Sequence, residues 1–152
     1  MTGEVECHAA PVAGVTPPPP GAPASNAGGP EFFADDDALT ALELALTASG
    51  DDAPPEAIAA LAWQLRQRDP ARALVLAGAA EARPAASSID ARRRQAARLQ
   101  LVRAEADWLA GRLEAAAGRV DEALHALATV ADALVRADAH WLRAMLAIDR
   151  GD

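Results

Sequence analysis

The chain has 152 residues, and its 14 arginines against 22 acidic residues give a net charge of −8 at pH 7. This acidic balance argues against nucleic-acid binding, which requires a basic face. No apolar run approaches the roughly 18 residues of a membrane helix, and the acidic N-terminus has no signal-peptide pattern. The single cysteine, Cys7, excludes a disulfide framework. Together these features predict a cytoplasmic protein without a membrane or nucleic-acid partner.

Residues 1–34 differ in composition from the rest of the chain. They are rich in proline, glycine and alanine, with four consecutive prolines at 17–20, and they carry no periodic apolar pattern. This composition predicts a disordered leader. A ligand for a proline-binding module is the alternative, but no PxxP sequence lies beside a fixed arginine, so we prefer a plain leader. Residues 35–152 are then predicted to form a helical domain.

Three helices are predicted in the first half of this domain. Asp37, the last of three consecutive aspartates, is the expected N-cap of the first, because a cap needs a short side-chain acceptor. A metal site built from the three aspartates lacks further ligands at useful spacing. Pro55 opens the second helix, and Asp69 followed by Pro70 opens the third. The predicted helices end near Gly50, Arg68 and Pro84.

The longest helical pattern runs from the S-x-x-D sequence at residues 87–90 to Gly111. One apolar stripe comprises Ile89, Leu99, Val102, Ala106, Leu109 and, beyond the glycine, Leu113. A second comprises Ala97, Leu101, Ala104 and Trp108. A helix with two apolar stripes needs neighbours on two sides. The remaining polar residues are predicted to face water: Arg92, Arg93, Gln95, Arg103, Glu105 and Asp107.

Two further helices are predicted to follow this long helix. The fifth begins near Leu113 if Gly111 is the break, and an alternative places the break at Gly118. Residues 129–133 indicate a turn, and the sixth helix ends at Gly151.

Breaks between helices recur with a period near 40. They fall at Asp69, Gly111 and Gly151, which are 42 and 40 residues apart, and a helix that contains a tryptophan precedes each one. A period of this length with two helices per unit is typical of a helical solenoid. The fold prediction is therefore all-α, with about six helices in antiparallel hairpins.

Four segments resemble tetratricopeptide-type repeats. They are RDPARAL at 68–74, LAGRLEAA at 109–116, GRVDEAL at 118–124 and ADAHWLRAMLAIDRGD at 137–152. The resemblance covers about residues 55–152 and is nearest to the repeat regions that precede output domains in bacterial signalling proteins such as diguanylate cyclases. It implies a non-catalytic sensory or protein-interaction segment, truncated before any output domain. The repeats here exceed the usual length of about 34 residues.

Catalytic and metal-binding patterns are weak. Ser87 and Ser88 have no nearby histidine or acid in a nucleophile motif, and His125 and His140 are 15 residues apart with only Asp121 and Asp138 as conceivable co-ligands. We therefore predict no enzymatic activity, no metal and no cofactor. A small-molecule sensor or enzyme is the least favoured alternative.

Two sets of residues are candidates for partner binding. The first set, on the first helix of each hairpin, is predicted to line a concave face for a protein or peptide: Arg66, Arg98, Arg103 and Arg143. The second set would form an interface for self-association on an uncapped sixth helix, which is the alternative function: Trp141, Leu142, Met145 and Ile148. The basic run at 92–94 with Arg98 could also hold an acidic peptide, a phosphate or residues 31–37, although such runs are usually solvated.

Overall fold

The computed structural model describes residues 34–83 and 88–151, and every regular element in these segments is helical. The predicted disorder of the leader and the predicted roles of Cys7, Pro84 and Ser87 lie outside the described residues. None of the described helices has the length and apolar character needed to cross a membrane. The six helices are α1 (Asp36–Ser49), α2 (Pro55–Leu65), α3 (Pro70–Ala82), α4 (Ile89–Leu109), α5 (Leu113–Ala126) and α6 (Ala133–Arg150), with a 3-10 turn at Gly50–Asp52.

Side-chain caps begin four of the helices, because a carboxylate or hydroxyl oxygen satisfies a backbone N–H that has no partner within the helix. Asp69 accepts from the Arg72 N–H at 3.0 Å, which confirms the predicted start of α3. The predicted cap of α1 is wrong by two residues, since Asp35 rather than Asp37 accepts from the Ala38 N–H. Ser88 and Asp132 cap α4 and α6 in the same way.

Glycines in positive-φ conformations mark the ends of α1, α4 and α6. Gly50, Gly111 and Gly151 have φ values of 51°, 74° and 80°, which other residues rarely adopt. This confirms the break at Gly111 and rules out the alternative at Gly118, which lies inside α5. The second helix ends at Leu65 rather than near Arg68. The residue before a proline avoids helical backbone, so the chain must turn before Pro70.

The helices pack in sequence, and α4 is central. It contacts α2 and α3 on the side of the preceding hairpin and α5 and α6 on the other. Small side chains permit these close contacts. Fully buried alanines occur on every helix from α2 to α6: Ala62, Ala73, Ala77, Ala80, Ala97, Ala104, Ala116, Ala123 and Ala139.

The two apolar stripes of α4 are buried along its middle turns, as predicted, whereas Ile89 and Leu109 at its ends are exposed. Two polar residues contradict the prediction that the rest of α4 faces water. Glu105 and Asp107 are both buried, because arginines from neighbouring helices bind their carboxylates.

Candidate functional site

Arg66 is completely buried, so the prediction that it lines an exposed binding face is wrong. Its Nε donates to Glu105 Oε2 at 2.6 Å, and its Nη1 donates to the Trp63 carbonyl oxygen at 2.6 Å. Glu105 also accepts a hydrogen bond from Gln67. Burial lowers the pKa of Arg66, and the adjacent Glu105 carboxylate partly offsets this effect. The pair joins α2 to α4.

A cation–aromatic cluster surrounds Trp63. The Arg66 guanidinium carbon lies 3.6 Å from the centroid of the Trp63 ring, and that of Arg98 lies 4.2 Å from it. Arg98 also forms an ion pair with Asp138 of α6. These contacts connect α2, α4 and α6 through cation–π and ionic interactions. Arg98 is therefore engaged within the fold.

The other two predicted arginines lie elsewhere, so the four do not form one site. Arg103 makes a bidentate pair with Glu81 of α3, with N–O distances of 2.5 and 2.6 Å. These hydrogen bonds lower the pKa of Glu81 and raise that of Arg103. Arg143 is exposed, and its Nη2 lies 3.3 Å from Nδ1 of His140.

The basic run at 92–94 also separates in space. Arg93 donates to the Thr129 hydroxyl, whereas Arg92 and Arg94 are exposed. Asp36, in the acidic segment that the run was suggested to hold, pairs instead with Arg68. Among residues 34–83 and 88–151, no group of three or more histidine, cysteine or acidic residues is arranged to hold a metal ion.

A second carboxylate on α4 was missed by sequence reasoning. Asp107 accepts from Arg112 Nη2 at 2.6 Å and from Arg119 Nε at 2.7 Å. Burial alone would raise the pKa of Asp107, but the two arginines outweigh it and lower that pKa. Arg112, at the N-cap of α5, and Arg119, within that helix, follow Asp107 closely in the sequence. This proximity of opposite charges was the signal available for the cluster.

Two half-buried tryptophans join α4 to α6. The rings of Trp108 and Trp141 are nearly perpendicular, at 81°, with centroids 6.1 Å apart. Trp108 Nε1 donates to Asp149 Oδ2 at 2.5 Å. Edge-to-face contact of this kind is the favoured geometry for aromatic pairs.

The predicted α6 interface residues lie on two different faces. Leu142 is buried in the core, so its inclusion was wrong. Trp141 and Met145 are partly exposed, and Ile148 is 67% exposed. Leu134, which the prediction omitted, is also exposed and lies seven residues before Trp141, two helical turns away.

Leu134, Trp141 and Ile148 lie on one face of α6 together with two alanines. We call this face the outer stripe of α6 and define it as Leu134, Ala137, Trp141, Ala144 and Ile148. The buried side chains of α6 are Val135, Ala139, Leu142 and Leu146. Alternating steps of three and four residues keep the outer stripe on one face for about four turns. The helix thus carries two apolar stripes: one is buried, and the other is exposed except at Trp141, which packs on Trp108 of α4.

Two shallow depressions lie near the C-terminal end of α3. One of about 490 Å³ lies between residues 51–55 and Arg83, which donates to the carbonyl oxygens of Asp51 and Ala53. The other, about 160 Å³, lies between α3 and α4. Neither is lined by the four arginines of the predicted concave face or by the predicted α6 interface residues, although Arg92 of the basic run lines the second.

Comparison with known proteins yields no match, whether with family models, curated proteins or solved structures.

Proposed function

We propose that this chain is a non-catalytic protein-interaction module, built as a tetratricopeptide-like array of antiparallel hairpins. Recurring side-chain contacts between alternate helices support the repeat. Arg66 binds Glu105, 39 residues further along the chain, and Arg98 binds Asp138, 40 residues further. Trp108 binds Asp149, 41 residues further. These separations near 40 residues between contacting side chains agree with the spacing of the helix breaks and support a repeat of about this length.

The outer stripe of α6 carries the proposal. A shift of 40 residues maps Ala137, Trp141, Ala144 and Ile148 onto the second apolar stripe of α4. In α4 the first three of these positions are completely buried, and the fourth, Trp108, packs against α6. In α6 the same positions are exposed or half-buried.

The stripe that receives helices inside the array is therefore presented outward at α6. A contiguous apolar strip on a surface is characteristic of a protein-binding site. An amphipathic helix laid along the stripe would make contacts of the helix-in-groove type. We assign the partner-binding role to this stripe rather than to Arg66, Arg98 and Arg103, which are engaged in contacts within the fold.

A peptide copy of α5 tests the proposal, because α5 packs on the equivalent helix α4. The peptide would span residues 112–127, with a hydrocarbon staple replacing the outward-facing Gly118 and Glu122 so that it is helical in isolation. The labelled peptide is titrated against protein held at about 10 μM. Its fluorescence anisotropy should show saturable binding. A scrambled stapled peptide is the control for non-specific adhesion.

Two matched variants identify the surface. Ile148→Arg places a charge in the outer stripe and should weaken peptide binding at least tenfold. Ala115→Arg makes a similar change on the exposed face of α5, away from the stripe, and should leave binding unchanged. Equal binding to both variants, or no binding at peptide concentrations up to about 1 mM, would contradict the proposal.

A further inference from the structure

α1 is the only described α-helix without a buried residue. Leu39, Leu42 and Leu46 are half-buried and pack against the core beside α2. A second flank of α1, which carries no charge, is exposed. It consists of Ala38, Ala41, Ala45 and Ala48.

α5 carries a comparable flank of alanines, which is buried. Its fully buried Ala116 and Ala123 each precede a partly buried residue, Ala117 and Leu124. Arg119 lies three residues after Ala116 and four before Ala123, on the same face, and it hydrogen-bonds to α4. The flank with Ala116 and Ala123 therefore faces the preceding helix.

The same order of residues recurs in α1. Ala38, Ala41 and Ala45 each stand one position before a leucine that packs toward the following helix α2. By analogy with α5, these alanines lie on the flank that would contact a preceding helix. Since α1 is the first described helix, this flank faces no preceding helix among the described residues.

Inside the array, the α4 stripe and the α5 flank lie at one covered junction. The two ends of the array lack this cover. At one end α6 exposes the equivalent of the α4 stripe, and at the other α1 exposes the equivalent of the α5 flank. We propose that copies of this chain associate head to tail, with α1 of one copy docked antiparallel along the outer stripe of α6 in the next. This inference rests on the proposed function of the α6 stripe and names its occupant.

The packing of α5 on α4 sets this orientation. These helices are joined by a short turn and run antiparallel, with Arg119 of α5 bound to Asp107 and Gln100 of α4, so α1 of one copy would lie antiparallel on α6 of the next. A helix of 14 residues makes a small interface, below about 1,200 Å² in total, so the association should be weak and depend on concentration. Head-to-tail contacts do not close on themselves in a dimer, so larger species should also form.

Sedimentation of the full chain between about 10 μM and 1 mM tests the inference. The weight-average mass of the wild type should rise beyond that of a dimer. Ala45→Arg blocks the α1 flank, and Ile148→Arg blocks the α6 stripe; each variant alone should remain monomeric. An equimolar mixture of the two should form dimers and nothing larger, because one intact surface of each kind is present. Ala115→Arg is the control and should associate like the wild type.

Three results would overturn the inference. These are a wild type that stays monomeric at 1 mM, an Ala45→Arg variant that still self-associates as a symmetric α6 pair would, and a mixture that stays monomeric. All three substitutions are at exposed helical positions that accept arginine, and unchanged circular dichroism verifies the fold. The stapled α5 peptide separates this inference from the proposed function, since peptide binding without self-association removes only the second copy as the partner.

Discussion

Glu105 and Asp107 are two residues apart on α4, yet they bind helices on opposite sides. Glu105 reaches back to Arg66 of α2 in a pair whose side chains are 0% and 1% exposed. Asp107 reaches forward to Arg112 and Arg119, whose own side chains are 58% and 37% exposed. The ion pair between Arg66 and α4 is therefore buried, whereas the arginines that bind Asp107 from the side of α5 are partly solvated.

This difference sets how each junction responds to change. A buried charge depends strongly on its partner, because water cannot replace that partner. A pair at the surface loses less, since solvent screens its charges and can take over its hydrogen bonds. We therefore expect the α2–α4 junction to be the more sensitive of the two.

The largest effect is expected for Glu105→Ala. It removes the carboxylate that balances the buried Arg66 charge and should lower the free energy of unfolding by about 3–5 kcal/mol, measured by urea titration. The double replacement Arg66→Met with Glu105→Leu fills a similar volume without charge and should restore most of that loss. A loss below about 1 kcal/mol for the single variant would contradict the contrast between the junctions.

Trp108→Ala should have the next largest effect. Because Trp108 is half-buried rather than enclosed, we expect a loss of about 2–3 kcal/mol instead of the 3–5 typical of a fully buried tryptophan. Trp108→Phe keeps an aromatic ring beside Trp141 but removes the hydrogen bond to Asp149 and part of the ring, and should cost less than the alanine change, about 1 kcal/mol. A loss near zero for the alanine variant would show that the Trp108–Trp141 contact contributes little to stability.

Asp107→Asn should cost about 1 kcal/mol at neutral pH, since its two arginine partners are partly solvated. The folded-state pKa of Asp107 is lowered, so its contribution is complete above the unfolded-state pKa of about 3.9 and is lost as pH falls through the folded value. The stability difference between wild type and variant should therefore shrink on acidification. A difference that stays constant from about pH 6 to pH 2.5 would assign the effect to packing instead of charge.

The smallest effect is expected for Ile148→Arg. The side chain is mostly exposed, so thermal unfolding of the dilute monomer should change by less than about 0.5 kcal/mol. Leu146→Ala, on the buried stripe of the same helix, serves as the contrast and should cost about 2–5 kcal/mol. A large loss for Ile148→Arg would mean that the outer stripe is covered within the chain.

The helix boundaries could be predicted because their causes are local. Pro55, Asp69, Gly111 and Gly151 act on neighbouring backbone groups, and their positions were read correctly from the sequence. The cap of α1 was misplaced because three adjacent aspartates are equally suitable caps, and packing against α2 selects among them: the Ala34 N–H binds Gln64 of that helix.

The polar contacts of the candidate site could not be predicted in the same way. Whether Glu105 is buried depends on an arginine 39 residues away, and helical periodicity assigns both residues to a polar face. The arginine guanidinium can enter such an interior because it is planar, weakly hydrated and able to stack on an aromatic ring while it binds a carboxylate. Of the outer stripe of α6, only Trp141 and Ile148 were predicted from the apolar period. Leu134, Ala137 and Ala144 were missed, Met145 lies outside the stripe, and Leu142 is buried.

The three tryptophans lie in two different environments within the described helices. Trp63 lies in a water-excluded cluster with two guanidinium groups, so its emission should follow the packing of α2 on α4. Trp108 and Trp141, held edge to face, bring two indole transition dipoles close enough to couple and to produce a near-ultraviolet circular dichroism signal. That near-ultraviolet signal should vanish when α6 detaches, before the helical signal of the remaining helices is lost, so local opening at α6 becomes visible in a protein that carries no added label.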